Sequence, residues 1–226
     1  MTEDGAGSKA EQLAHARPAV ERWLSRSGLV PLPVFLVLHL LRELRLAFVG
    51  DVSEVLRPAP SLLALATSWL LVWLPLLVHV GLAVYLLLSG RRLGAPAGGD
   101  LPALARLVSR VTALLALLFV LYHGRSYGFA VWAGEADARD AGFRLLAELS
   151  STKLGVPLAS GAYLLGLLAT VTHAGISVHR ALAAEGLLAT AARRHRSARL
   201  CTALAVLSFA AGAVAVIRVA SGVFLR

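Results

Sequence analysis

Four of the seven histidines, His39, His79, His123 and His173, each stand inside a different long apolar stretch of the chain. An imidazole in hydrocarbon is costly, and where one occurs it marks a cofactor, a proton path or an ion path. One such residue is explained by polar packing or a relay. Four on four successive apolar segments have the distribution of paired axial ligands for two haems. Neutral imidazole binds iron through one ring nitrogen, and the other needs a partner that fixes the tautomer. Backbone carbonyls one turn back are the expected partners in an apolar helix. The remaining histidines differ. His15 and His195 lie in polar, basic stretches and read as solvated. His179 stands six residues after His173, about 240° around a helix. Beside Arg180, it reads either as a contact to a haem propionate or as an interfacial side chain.

The elements that must position these residues are membrane spans. The 226 residues are 58% hydrophobic with a mean hydropathy of +0.73, and only 15% are charged. Most charges fall between the apolar runs, the pattern of a polytopic helical membrane protein. Five stretches reach the roughly 20 residues that cross a bilayer as helix: about Leu29–Val49, Leu62–Leu88, Val111–Trp132, Val156–Val178 and Leu200–Leu225. None alternates as a barrel strand does. Pro58 and Pro60 precede the second span, Gly94, Pro96, Gly98 and Gly99 follow it, and Pro157 sits in the first turn of the fourth. The expected fold is therefore all-α: a polytopic membrane protein whose five transmembrane helices form a haem-binding bundle over residues 28–226. Residues 1–27 read as an N-terminal cytoplasmic or interfacial amphipathic segment, with Leu13, Val20, Trp23 and Leu24 among charged residues. The opening MTEDGAGSKAEQ has no apolar run behind it, so no cleaved signal is expected.

Composition also excludes functions. Cys201 is the sole cysteine, which rules out an internal disulfide and a cysteine-ligated iron–sulfur cluster. No strand–Gly-rich-turn–helix fingerprint for a flavin or dinucleotide is present. The pI of 10.9 is assigned to orientation in the membrane, not to nucleic acid. With the N-terminus inside, the inner segments carry Lys9, Arg17, Arg22, Arg26, Arg91, Arg92, Arg106, Arg110, Arg180, Arg193, Arg194, Arg196 and Arg199, thirteen of the 22 basic residues. That bias places the N-terminus in the cytoplasm and the C-terminus in the periplasm of a bacterial inner membrane.

Orientation converts sequence position to depth. His39 and His123 lie on spans that run outward and fall in the outer half. His79 and His173 lie late on spans that run inward and fall in the inner half. Matching depths pair His39 with His123 and His79 with His173, one pair per haem, in a bundle core of facing helices. Small residues, among them Gly81, Gly124, Gly161, Gly166, Ala169 and Gly175, leave room for a flat macrocycle or for close helix approach.

These residues carry a resemblance. Arg22-Trp-Leu-Ser25-Arg-Ser-Gly28-Leu-Val-Pro31 with Phe35-Leu-Val-Leu-His39, then Leu74-Pro75-Leu-Leu-Val-His79, Ser109-Arg110-Val-Thr112 and Thr170-Val-Thr-His173-Ala-Gly-Ile resemble the first four spans of single-chain di-haem cytochrome b subunits of succinate dehydrogenases and fumarate reductases. The fifth span matches by order and length. The resemblance implies a non-catalytic subunit of an oxidoreductase complex. It would anchor a flavoprotein and an iron–sulfur subunit and pass electrons to a membrane quinone, menaquinone by expectation. It makes the four histidines the axial ligands of two haems b. Ser25 and Arg110, at the inner ends of spans one and three, become propionate contacts, with His179 and Arg180 as further candidates. Arg42, Glu43, Asp51 and Glu54 at the outer end of span one are the quinone-site candidates, the acids among them being the nearest proton donors or acceptors. The chain departs from the family at Ala113, where relatives carry Gly. It departs again at Val171, where some di-haem fumarate reductases carry a glutamate linked to proton movement.

Two rival functions keep part of this reading. Cytochrome b subunits of hydrogenases or formate dehydrogenases also hold two haems, often with two histidines on one helix; here there is one on each of four. A transporter or proton channel would use the histidines as a relay. It would need acids inside the spans, and spans two to five carry none in their apolar cores.

Overall fold

A computed structural model describes residues 23–24, 26–29, 31–49, 62–88, 103–129, 138–152 and 155–221. It is helical almost throughout. Helix α1 is Pro31–Val49, with Pro31 and Pro33 in its first turn, where a missing N–H does no harm. Helix α2 runs in three consecutive pieces: Leu62–Ser68, a π-helical stretch Trp69–Trp73, and Leu74–Leu88. The wide turn ends two residues before Pro75, whose ring in a regular helix would strike the carbonyl of Leu71. The π stretch relieves that clash and lets the helix continue. Helix α3 is Ala103–His123 and passes into a second π stretch, Gly124–Phe129.

Helix α4, Ala138–Ser150, falls where the hydropathy reading expects only a loop. Its apolar stripe, Leu145, Leu146 and Leu149, covers one short face among charged residues, too few to register as a span. It is held where it stands by Ser160, whose buried hydroxyl donates to the Leu149 carbonyl at 2.6 Å. Helix α5 is Leu158–Ala184 and helix α6 is Ala191–Ala220. The turn between them is fully capped. Gly186 takes a φ of +77°, the Leu187 N–H donates to Leu182 O at 3.0 Å and the Gly186 N–H to Ala183 O at 3.1 Å. Those are the two bonds of a Schellman motif. Thr190 then opens α6 by accepting from the Arg193 N–H at 3.2 Å.

Helix α5 sits at the centre, packed between α3 and α6, and α1 lies against α6. The core is Leu40, Leu167 and Val171, with Leu36, Ala205 and Phe209 packed on it. Two glycines permit these crossings. A Cβ at Gly212 would meet Leu167 and Leu40, and one at Gly166 would meet the Phe119 ring. Outward, large apolar side chains are bare, Leu62 at 85% exposed and Leu63 at 78%, which is the surface of a bundle whose solvent is lipid.

Three helices among the described residues are long and apolar enough to cross a membrane: Leu104–Ser126, Leu158–Ala184 and Ala191–Ala220. The first two expected spans are shorter here as uniformly apolar helix, Arg26–Leu41 and Trp69–Tyr85. In α1 the apolar run is cut by Arg42, Glu43 and Arg45, and in α2 the π stretch divides the helix. Helices α3, α5 and α6 also start earlier or end later than their apolar cores, because Ala, Leu and Arg are strong helix formers that continue the helix past the hydrocarbon.

Candidate functional site

The bundle brings the four histidines together in two pairs. The rings of His39 on α1 and His123 on α3 have centroids 6.0 Å apart with planes at 62°. Those of His79 on α2 and His173 on α5 are 6.3 Å apart with planes at 69°. These are the pairs selected by depth. Two imidazoles bound on opposite sides of one metal ion, each about 2 Å from it through one nitrogen, have ring centres about 6 Å apart. Rotation about the metal–nitrogen axis leaves the angle between their planes free.

Each pair occupies its own level. His123 meets Tyr163, which lies ten residues before His173 on α5, so the levels are separated by about 15 Å of helix rise. The Arg26 guanidinium forms an ion pair with Glu185 at 2.9 Å. That contact places the chain before α1 at the same end of the bundle as the α5–α6 turn. His79 lies at this end too, against Leu24, Ser27 and Gly28. At the other end, a hydrogen bond from the Tyr122 hydroxyl to Glu148 ties α4 to α3.

The ring nitrogens facing away from each partner have identifiable neighbours. His79 Nδ1 stands 3.0 Å from the Leu24 carbonyl, a contact only an Nδ1–H can make, which leaves Nε2 with its lone pair. That acceptor comes from 55 positions away, not from one turn back as expected. Gly28 is what admits it: a Cβ there would lie 2.8 Å from His79 Nδ1. His123 Nδ1 is 3.2 Å from the Tyr163 hydroxyl, and Tyr163 is buried at 5% exposure. Its ring stands edge-on to both His123 and Phe119, while Phe119 stacks on His123. Phe35 stacks on His39 at 5.4 Å. His173 differs. Its Nε2 is 3.4 Å from the Ser177 hydroxyl, and its Nδ1 is buried with no hydrogen bond within ordinary distance among the described residues.

These donors suit haem iron. A macrocycle fills the equatorial positions and asks of the protein only axial ligands, and each pair offers two imidazoles at the required separation. A bare ion would need three or more ligands, and no such group of His, Cys, Asp and Glu exists among the described residues.

The other candidates are placed less centrally. Arg110 is exposed on α3, thirteen residues or about 20 Å from His123, near the level of the His79–His173 pair. His179 Nδ1 lies 3.0 Å from the hydroxyl of buried Ser197, so this residue ties α5 to α6. Arg180 is half-buried one turn beyond Ser177. Ser25, Asp51 and Glu54 lie outside the described residues, as do the side chains of Arg42 and Glu43, whose backbone belongs to α1. Of the small residues, Gly166 and Gly175 serve helix contacts. A Cβ added at Gly175 would lie 3.3 Å from the Cys201 carbonyl, whereas Gly81 and Gly161 face open space.

Sequence reasoning missed Tyr122, Glu148 and Tyr163. The available signal was a tyrosine within the otherwise apolar start of the fourth span. It also missed Arg218 in the last turn of α6. Its guanidinium lies 4.6 Å over the Phe48 ring, and its Nε is buried without a hydrogen-bond partner among the described residues. Comparison of the chain with protein-family models, with curated proteins and with solved structures finds no match.

Proposed function

We propose that this chain is the di-haem cytochrome b membrane anchor of a succinate:quinone oxidoreductase, carrying electrons between an iron–sulfur subunit and membrane quinone through two bis-histidine haems b. The observation that carries this reading is the meeting of four histidines from four helices in two pairs, 6.0 and 6.3 Å apart, at two levels of one bundle. A proton relay requires a chain of exchanging groups from level to level; two pairs at separate levels are what two metal centres require. The partner complex rests on the motif resemblance alone. The assignment of five spans rests on the apolar run lengths of the sequence, and the pieces of α2 support it: residues 62–88 form consecutive helix, about 40 Å long at helical rise.

In this reading His39 with His123, and His79 with His173, supply the axial nitrogens. The Leu24 carbonyl and the Tyr163 hydroxyl orient His79 and His123. The lipid-facing apolar surface keeps water from both levels. Bound haem would supply one-electron chemistry, and the protein sets its potential through ligands, hydrogen bonds and burial. Arg110, Arg180 and His179 stand at the end of the bundle where propionates of the inner haem would need cations and donors.

The test is the purified complex, scored by a haemochrome count per chain and by a reduced-minus-oxidised spectrum taken after addition of succinate. The reading requires two six-coordinate b haems, at least one of which succinate reduces. Haem reduced by formate or hydrogen and not by succinate would transfer the chain to the rival class of anchors. A haem-free chain would end both.

A further inference from the structure

The first three turns of α6 carry four arginines and a histidine, Arg193, Arg194, His195, Arg196 and Arg199, and no acid. All five are exposed, and no carboxylate pairs with any of them among the described residues. Their distribution around the helix is uneven. His195, Arg196 and Arg199 line an open groove of about 600 Å³ together with Ala192, Leu200 and Ala203. These positions follow i, i+3, i+4, i+7, i+8 and i+11, one face of one helix. Arg194 stands on the far side of the helix, and Arg193, seven residues before Leu200, stands at the edge of this face.

The same face changes character one turn on. Leu200, Leu204 and Leu207 are 57%, 61% and 66% exposed, on a helix apolar enough to span a membrane. A groove that is cationic at the water boundary and runs into bare leucines within the span is complementary to a molecule with an anionic head and long apolar tails. We propose that it seats the phosphate of an anionic phospholipid between His195, Arg196 and Arg199, with acyl chains along Leu200, Leu204 and Leu207. Arginine's planar fork suits phosphate oxygens, and basic clusters at the cytoplasmic boundary of a span attract anionic headgroups. The site does not depend on what the histidine pairs hold.

The experiment measures lipid retained by the full chain in detergent, by native mass spectrometry and by competition with spin-labelled phosphatidylglycerol. Phosphatidylcholine and inorganic phosphate serve as comparison probes. Arg196→Gln with Arg199→Gln is expected to lower phosphatidylglycerol retention about tenfold or more. Arg144→Gln with Arg194→Gln, an equal loss of charge at exposed arginines off this face, leaves most of it. Arg196→Lys with Arg199→Lys keeps the charge and folds as the parent does, separating loss of the site from loss of structure. Equal losses in the two glutamine pairs would mean a diffuse field and no site. Displacement of the lipid by inorganic phosphate at comparable concentration would make the ligand a free anion. Unchanged lipid retention with loss of a co-purifying subunit would assign the face to a protein. Each of these three outcomes overturns the proposal.

Discussion

At the scale of single residues, the two levels are built differently, and the difference is measurable. His79 is held by a backbone carbonyl, whereas His123 meets a phenol, Tyr163. A hydrogen bond accepted from the outer ring nitrogen makes an imidazole a more basic ligand and favours the oxidised iron. Tyr163→Phe removes that acceptor with little change of volume. The expected outcome is a higher midpoint potential for the haem on His39 and His123 and an unshifted one for the other, read by potentiometric titration. Gly28→Ala works at the opposite level. Its Cβ would sit 2.8 Å from His79 Nδ1, forcing the ring from the Leu24 carbonyl. Only the spectral component of the His79–His173 pair is expected to shift or be lost. A change confined to the other component would place Gly28 at the wrong level. The ligand candidates themselves were legible because an imidazole in an apolar run is rare and four of them fall on four successive runs. Their outer-nitrogen partners were not, because Leu24 acts through its carbonyl and Tyr163 through a contact between helices 40 positions apart.

At the scale of elements, α5 is the axis on which both levels depend. Gly166 lets Phe119 lie on α5, and Phe119 stacks on His123. Gly166→Val is expected to push α3 away and destabilise the bundle by about 1–3 kcal/mol, the usual range for overpacking. The fall in thermal midpoint in detergent checks it, and the His39–His123 level should fail before the other. Helix α4 is fixed by the buried bond from Ser160 to the Leu149 carbonyl. Ser160→Ala leaves that carbonyl unpaired, at a cost of about 1–3 kcal/mol, and should increase hydrogen exchange in α4 more than in α6. Unchanged exchange in α4 would show that other contacts hold it. Hydropathy located the apolar part of every long helix and none of α4, since a stripe of three leucines among charges looks like a loop to any average taken over span length. The π stretch of α2 was equally hidden, although Pro75 after two tryptophans was its visible cause.

At the scale of the whole molecule, three helices have the length and apolarity of spans, and a bundle with bare leucines around it belongs in lipid. The proposed topology adds α1 and α2 as crossings, which puts residues 50–61 on the outer side. Ser53→Cys, made together with Cys201→Ala, should react with an impermeant maleimide added from the periplasmic side. Labelling only after permeabilisation would remove α1 and α2 from the set of spans. Both topologies leave the four histidines where their helices meet, so the measurement that bears most directly on the proposed function is which spectral component each histidine governs. Spectra of His39→Ala, His123→Ala, His79→Ala and His173→Ala should fall into two classes. The first two lose one b-type component and the last two lose the other. Loss of a single shared component in His39→Ala and His79→Ala, or an unchanged spectrum in all four, would contradict the two-level arrangement.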